Sequence, residues 1–260
     1  MLDAHSNTHG KLIMNKVFEG KVAVVTGGSR GIGAAIARRL AADGAHVALT
    51  YQQSAAAAET LVADIKAAGG SAEAIKSDAA DPGAIRAAID GVAQARGRVD
   101  ILVNNAGVAV FGPIDDFTLE DFEKTVAVNV RAVFAGVKAV LPHMGQGGRI
   151  INISSTNALR MPMVGGSVYA MSKSALSGLT QGLARELGPR GITINNVLPG
   201  PVDTDMNPER TEFGASMHDF MALKRHGRPE EIAAMVAYLA GSEASYVTGG
   251  DLLIDGGFAA

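Results

Sequence analysis

The chain has 260 residues, of which 47% are hydrophobic and 19% charged, so it is long and apolar enough for one large, well-packed domain. Its formal net charge of −3 offers no general basic surface, which disfavours nucleic acids and acidic membranes as partners. The lack of cysteine excludes disulfides, thiol nucleophiles and cysteine-bound metals and is compatible with a reducing compartment.

Residues 1–19 are polar and irregular and are predicted to form a flexible tail. They lack the basic segment and the following run of roughly 7–15 apolar residues that define a secretory signal. No stretch approaches the ~18 consecutive apolar residues of a membrane-spanning helix. We therefore expect a cytoplasmic protein with a single domain over residues 20–260.

The first predicted strand, residues 21–26, leads into a glycine-rich turn at 27–33 and then into an alanine-rich helix that ends near residue 42. Glycines in such a turn allow backbone N–H groups and the positive helix end to approach a pyrophosphate. A tight strand-to-helix turn without a ligand is the plainer alternative. The position between a buried strand and a helix is the context that a dinucleotide site requires.

The second predicted strand, residues 45–51, ends in Tyr51 and continues with Gln52, Gln53 and Ser54. Folds that prefer NAD usually place an acid there to bind the ribose 2′-hydroxyl. Without that carboxylate a 2′-phosphate fits, and Arg30 in the glycine turn can supply positive charge. NADP(H) is therefore predicted over NAD(H), although Arg30 could also simply be solvated.

Helices and strands continue to alternate along the chain. Further helices are predicted near 55–68, 82–96, 119–142, 167–188 and 229–240, and further strands near 71–77, 99–104, 149–154, 192–197 and 251–254. This pattern predicts an α/β, single-domain Rossmann fold with a doubly wound, about seven-stranded parallel sheet flanked by helices.

Ligands of such sheets bind beyond the carboxyl ends of the strands, and polar residues and glycines collect there. Besides the glycine turn and Tyr51 they are Asp78, Asn105, Ala106, Gly107, Ser155, Pro199, Gly200 and Pro201. The six histidines show no close ligand spacing along the chain, so no metal site is predicted.

Tyr169 and Lys173 are four residues apart in a predicted helix and share one of its faces. An ammonium near a phenol favours the phenolate and lowers the phenol's pKa, which prepares it for proton transfer near neutral pH. An ordinary amphipathic helix produces the same spacing, so the pair alone decides nothing.

Together the motifs resemble the short-chain dehydrogenase/reductase family from about residue 20 to the C-terminus. They are TGGSRGIG (26–33), NNAG (104–107), VNV (128–130), ISS (153–155), YAMSK (169–173) and PGPVDTDM (199–206). Their order, spacing and strand-end positions are specific as a set.

The resemblance implies an NADP(H)-dependent oxidoreductase that transfers a hydride between nicotinamide and a carbonyl or secondary alcohol. Tyr169 would be the general acid/base, Ser155 would hold the reacting oxygen, Lys173 would lower the Tyr169 pKa and bind the nicotinamide ribose, and Asn129 would anchor a water relay. The implied cofactor contacts are Gly27, Ser29, Arg30, Gly31, Ile32, Gly33, Tyr51, Ser54, Asp78, Ala79, Asn105, Ala106, Gly107, Tyr169, Lys173, Pro199, Gly200, Val202 and Thr204.

Two features depart from the family's usual pattern. Ser155 lies fourteen residues before Tyr169, slightly more than is common, and the hydroxyls of Ser154 and Thr156 compete for its role. The loop at 144–148 lacks the basic residues of 3-oxoacyl-ACP reductases. Arg190 remains, so that alternative substrate class is disfavoured but open.

The substrate and the partners are less defined. Residues 203–226 contain Met206, Phe213, Met217, Phe220 and Met221, which predict either a lid with short helices over an apolar pocket or a small satellite core.

Four further segments are RMPMVGGSVYAMSKSAL (160–176), LGPRGITIN (187–195), PGPVDTDMNP (199–208) and LKRHGRPEE (223–231). Within the family they resemble bacterial reductases described as cyclic-di-GMP-binding biofilm-dispersal mediators, which makes a regulatory binding protein a competing function. Lys224, Arg225 and Arg228 would then meet phosphates, although a solvated basic turn is the plainer interpretation. A sugar or steroid dehydrogenase that uses NAD+ is the third alternative. Family members are commonly tetramers, and a homotetramer is expected here, with a dimer as the alternative.

Overall fold

The computed structural model describes residues 16–260, so residues 1–15 of the predicted tail lie outside the described residues. The end of that predicted tail is packed. Phe18 is buried in the core, and its N–H donates a 2.8 Å hydrogen bond to the carbonyl of Asp43. The prediction of a flexible tail is therefore wrong at Phe18, whose ring is buried in the core, although Lys16, Val17 and Glu19 are exposed.

The centre of the fold is one parallel sheet. Its strands in the described part of the chain are β1 (Val22–Val25), β2 (His46–Tyr51), β3 (Ser71–Lys76), β4 (Ile101–Asn104), β5 (Arg149–Ile153), β6 (Thr193–Pro199) and β7 (Asp251–Ile254). Their order is β3-β2-β1-β4-β5-β6-β7, and every pair is parallel. The chain reverses its direction of winding between β1 and β4, which is the position where such sheets open a crevice for ligands.

The helices form a layer on each face of the sheet. They are α1 (Gly31–Ala42), α2 (Ala55–Ala67), α3 (Pro82–Arg96), α4 (Leu119–Val126), α5 (Ala132–Val140), α6 (Ser167–Leu187), α7 (Glu212–Ser216) and α8 (Pro229–Ala240). Side chains alternate along each strand, so β1 contributes Ala23 and Val25 to a core with α1, α2 and α8. Val22 and Val24 belong to a second core with α3, α5 and the end of α6. The predicted doubly wound α/β fold is confirmed.

The predicted helix at 119–142 is present but is not uniform. A π turn, Ala127–Arg131, separates α4 from α5, and such wider turns often occur at functional sites. By length and composition the segment Leu119–His143 is apolar enough to cross a membrane, with a mean hydropathy of 1.4 in its most apolar window. However, 56% of that window is buried inside the protein and α5 packs against α3, as expected for a core helix.

Candidate active site

A cavity of about 510 Å³ opens at the carboxyl edge of the sheet. All residues of the predicted cofactor set line it, as do Ser155, Tyr169 and Lys173. Asn129 is the one predicted catalytic residue that does not. The fold therefore brings together predicted residues that are up to 177 positions apart in the sequence, from Gly27 to Thr204, because the ends of parallel strands meet at one edge.

The glycine turn between β1 and α1 depends on the absence of side chains. Gly27 and Gly31 have φ angles of 62° and 53°, in the left-handed region that favours glycine. A Cβ on Gly33 would lie 2.4 Å from the Gly27 carbonyl oxygen and 2.5 Å from Nδ2 of Asn105. The turn is held by that Asn105 amide, which donates to the carbonyls of Thr26 and Gly27 at 3.0 and 2.9 Å.

The backbone of this turn leads directly into the N-terminus of α1, which has no acidic residue in its first turn. Unpaired N–H groups and the helix dipole make such a terminus a suitable place for a phosphate group. The geometry thus fits the pyrophosphate of a dinucleotide. It also assigns Asn105 a positioning role that sequence reasoning did not specify.

The end of β2 has the features expected of a 2′-phosphate site. Tyr51 ends the strand, and Gln52, Gln53 and Ser54 line the same cavity without adding a carboxylate. Arg30 is exposed at the cavity and forms no ion pair with any residue of the part that the structure describes. Asp78, an acid that also lines the cavity, accepts a hydrogen bond of 2.8 Å from the backbone N–H of Ala80.

Tyr169 and Lys173 occupy successive turns of α6, at the other end of the cavity. Lys173 is almost completely buried, and its Nζ lies 5.9 Å from the centre of the Tyr169 ring and donates a 3.0 Å hydrogen bond to the carbonyl of Ile153. Tyr169 forms a side-chain hydrogen bond with Ser155. Phe111 packs on the tyrosine ring at 5.4 Å between centres, a contact that the sequence did not reveal.

The three neighbouring hydroxyls after β5 have different partners. Ser154 Oγ donates to the carbonyl of Lys173 at 3.1 Å, and Thr156 Oγ1 donates to Asp255 at 3.0 Å. Ser155 Oγ accepts from the N–H of Asn157 at 3.1 Å and reaches Tyr169. The structure therefore favours Ser155 over its two neighbours as the hydroxyl beside the tyrosine.

Burial dominates the ionisation of the pair. It lowers the pKa of Lys173 to about 8, because the buried ammonium loses its hydration. It also raises the pKa of the Tyr169 phenol, and the hydrogen bond with Ser155 only opposes that shift. Desolvation of the phenolate therefore sets the direction of the Tyr169 pKa, and its lowering by Lys173 stays a prediction.

The comparisons with known proteins agree with this geometry. A family model described as Enoyl-(Acyl carrier protein) reductase matches residues 27–259. A short-chain dehydrogenase/reductase from Serratia marcescens is 55% identical with a TM-score of 0.93, over 94% of this chain and 100% of that one. The chain belongs to the short-chain dehydrogenase/reductase family.

Two further members of the family are similar over nearly their whole length. A short chain dehydrogenase from Burkholderia cenocepacia in complex with NADP is 53% identical with a TM-score of 0.92, over 94% of this chain and 100% of that one. The cyclic-di-GMP-binding biofilm dispersal mediator protein of Escherichia coli is 48% identical over 94% of this chain and 99% of its own length.

In the present protein, Asn129 lies in the π turn and is buried beside the cavity rather than in its wall. Its Nδ2 donates to the Val108 carbonyl at 2.9 Å and to Ser172 Oγ at 3.0 Å, and its Oδ1 accepts from the Val108 N–H at 2.9 Å. Both amide protons are therefore used. The side chain joins the loop after β4 to the α6 turn that carries Lys173.

The segment at 203–226 contains α7 and a 3-10 turn, Met217–Phe220, which confirms the expected short helices. Met217 and Met221 pack with Phe258 in a small third core. Met206 and Phe213 are more than half exposed and line the cavity, as does Met217. The satellite core is therefore present, and Met217 belongs both to it and to the cavity wall, while the lid stays a prediction. Phe258 also lines the cavity and was missed, because a residue near the C-terminus carries no signal of that position.

The basic residues considered for phosphate binding are largely engaged within the protein. Arg225 forms a two-pronged ion pair with Glu231 at 2.7 and 2.8 Å, and these bonds hold the pKa of Glu231 at about 2. Lys224 donates to the His218 carbonyl at 3.0 Å, and Arg190 donates to the Leu141 carbonyl at 2.7 Å. The remaining candidate, Arg228, lies 3.8 Å from Glu231.

The prediction that no metal site exists was based on spacing along the chain. In the fold, Glu209, His218 and His226 lie together with their potential ligand atoms within 4.8 Å of one another.

Proposed function

We propose that this protein is an NADP(H)-dependent oxidoreductase that interconverts a carbonyl compound and a secondary alcohol. The observation that carries the proposal is the meeting of Ser155, Tyr169 and Lys173 in the same cavity as the glycine turn of a dinucleotide site. A bound nicotinamide would supply or accept the hydride. The residues of the chain then need only bind and orient the cofactor and the substrate and transfer a proton.

In the reducing direction the Tyr169 hydroxyl donates its proton to the carbonyl oxygen of the substrate. The Ser155 hydroxyl, which lines the same cavity as Tyr169, donates a second hydrogen bond to that oxygen as negative charge develops on it. Lys173 provides a buried positive charge near the tyrosine ring. Asn129 positions the α6 turn that carries the lysine.

The preference for NADP(H) over NAD(H) belongs to the same proposal. It is supported by Arg30 beside the cavity, by the lack of a carboxylate at the end of β2, and by the NADP complex of the Burkholderia relative. The substrate is expected to be a small carbonyl compound or alcohol with apolar surface, because Met206, Phe213 and Met217 line its side of the cavity.

The test is Tyr169→Phe, which keeps the ring and removes only the transferable proton. Loss of general acid catalysis typically slows turnover by ~10²–10⁴-fold. We expect a loss of that size in NADPH oxidation with a panel of ketones, while NADPH binding, followed by its fluorescence, stays nearly intact. The matched control is Tyr238→Phe on α8, a tyrosine outside the cavity that is expected to change neither quantity. Wild-type turnover in Tyr169→Phe would refute the assignment.

A second candidate function is binding of cyclic-di-GMP as a regulatory protein, and the 48% identity to the Escherichia coli mediator favours it. The pairing of Arg225 with Glu231 disfavours phosphate binding at that position. Calorimetry with cyclic-di-GMP separates the two functions. Tight binding, together with no turnover on any carbonyl substrate, would favour the regulatory function.

A 3-oxoacyl-ACP reductase is the alternative within the oxidoreductases. Its test is turnover of a carrier-bound acyl substrate against the matching free ketone. The loop at 144–148 carries no basic residue and Arg190 is hydrogen-bonded to the protein, so we expect no advantage for the carrier-bound form.

We also propose a homotetramer. Family members commonly assemble through the two long helices, predicted here near 119–142 and 167–188, and through the C-terminal strand. Apolar side chains are exposed on these elements, including Phe134 on α5, Met171 on α6 and Leu253 on β7. Light scattering measures the mass directly, and a dimer is the outcome that would correct this proposal.

A further inference from the structure

The segment that covers the cavity brings three potential metal ligands together. Glu209 lies in the loop after β6, His218 in the 3-10 turn Met217–Phe220, and His226 shortly before α8. His218 Nε2 is 3.1 Å from Glu209 Oε1 and 3.2 Å from His226 Nδ1, and the remaining side of the triangle, from Glu209 Oε1 to His226 Nδ1, is 4.0 Å.

These distances match the dimensions of a metal site. The point equidistant from the corners of a triangle with sides of 3.1, 3.2 and 4.0 Å is about 2.0 Å from each corner. Zinc binds imidazole nitrogen at about 2.0–2.1 Å and carboxylate oxygen at about 2.0–2.2 Å. A zinc ion just above the plane can therefore reach all three atoms, and tetrahedral angles require the 4.0 Å side to shorten towards ~3.4 Å.

We propose that Glu209, His218 and His226 form a binding site for a divalent transition-metal ion, with zinc as the best match. Two imidazoles and one carboxylate suit zinc and its neighbours in the transition series. Magnesium and calcium prefer sites made wholly of oxygen ligands.

Burial and a backbone hydrogen bond hold His226 and Glu209 in place. The side chain of His226 is fully buried, and its backbone N–H donates a 3.0 Å hydrogen bond to Glu209 Oε1. The His218 and Glu209 side chains are 27% and 33% exposed, so one side of the triangle is open to water as a further ligand and to entry of the ion.

Hydrogen bonds among Glu209, His218 and His226 cannot satisfy all three of the facing atoms at once. His218 Nε2 faces both Glu209 Oε1 and His226 Nδ1, but a neutral imidazole carries only one N–H to share between them. A cation binds all three lone pairs at once.

The site also has an identifiable weakness. Nε2 of His226 is buried without a hydrogen-bond partner among residues 16–260, whereas the second nitrogen of a metal-bound histidine usually donates to an acceptor. Loss of such a partner typically lowers metal affinity ~10–100-fold, so we expect weaker binding than at a fully supported structural zinc site.

A bound metal ion would link three segments of the chain. The three ligands join the loop after β6, the turn that carries the cavity-lining Met217, and the segment before α8. An ion at this position would stabilise the cover of the pocket and would raise the unfolding temperature by linkage, because an unfolded chain does not hold the three groups together.

The experiment uses the full chain, freed of metal by chelation and titrated with zinc and separately with cobalt. We expect one zinc per chain, a zinc-dependent rise in the unfolding temperature, and the strong visible bands of low-coordinate cobalt. His218→Ala should abolish all three results. NADPH binding and the circular dichroism spectrum show whether that variant is folded.

The matched control is His143→Ala. His143 is 28% exposed and lies 2.7 Å from the Asp90 carboxylate, so it resembles His218, but among residues 16–260 no second imidazole joins it in a cluster of ligands. This variant should bind metal as the wild type does. Equal zinc binding by His218→Ala and wild type would place the metal elsewhere on the chain and overturn the proposal. Absence of cobalt bands and of zinc stabilisation in the wild type would overturn it as well.

Discussion

Lys173 should lower the stability of the protein in a pH-dependent way. Its ammonium is buried, and burial lowers its pKa from 10.5 to about 8. One pKa unit corresponds to ~1.4 kcal/mol, so charging Lys173 in the native state is unfavourable by about 3 kcal/mol relative to the unfolded chain. That penalty is fully present below pH 8 and disappears as the pH approaches 10.5.

The substitution that tests this is Lys173→Met, which keeps most of the side-chain volume and removes the charge. Between pH 8 and 10.5 the unfolded wild-type chain binds more protons than the native chain at this site, so its free energy of unfolding rises with pH. The variant lacks this contribution. We therefore expect the wild type to gain about 3 kcal/mol relative to the variant between pH 7 and the end of that window.

The assay is urea unfolding of both proteins without cofactor at several pH values and at one protein concentration, because assembly adds a concentration-dependent contribution. The difference in free energy of unfolding between wild type and Lys173→Met at a single pH is less informative, since the variant also loses the hydrogen bond to the Ile153 carbonyl. Lys66→Met on the exposed surface of α2 reports the general effect of losing one positive charge. A difference between wild type and Lys173→Met that stays constant with pH would refute the reasoning.

Two further substitutions test the cofactor site. Tyr51→Asp places a carboxylate where a 2′-phosphate is proposed, and the ratio of kcat/KM for NADPH to that for NADH should fall about tenfold or more, equivalent to ~1.4 kcal/mol; an unchanged ratio would mean that the ribose site is misplaced. Gly33→Ala introduces a Cβ 2.4 Å from the Gly27 carbonyl oxygen, so we expect a loss of about 1–3 kcal/mol of stability in urea unfolding and weaker NADPH binding by fluorescence titration. Wild-type stability and affinity in Gly33→Ala would show that the turn is not closely packed.

Much of the fold could be read from the sequence because local signals mark its elements. Helix α3 has the predicted limits, Pro82–Arg96, since Asp81 caps it, proline opens it, and Gly97 ends it with a φ of 79°. The alternation of apolar strands and helices predicts the sheet for the same reason. The tail prediction failed at Phe18, because one aromatic residue in a polar stretch gives no periodic signal of its burial.

Some features of the candidate site could also be predicted from the sequence, and others could not. Its residue types and their strand-end positions were predictable, since motif spacing places them at one edge of the sheet. Ser155 was chosen over Ser154 and Thr156 from its position after the strand, but the partner that each of the three hydroxyls meets was not predictable. The direction of the Tyr169 pKa depends on burial, which no residue spacing expresses.

The sequence by itself determined the family, the order of helices and strands, and many of the residues that line the cavity at the carboxyl edge of the sheet, because these follow from local periodicity and from motifs at strand ends. Only the tertiary structure decided the partners of the proposed catalytic groups and the meeting of Glu209, His218 and His226. The physical reason is that contact distances and desolvation arise from segments distant in the chain that packing brings together.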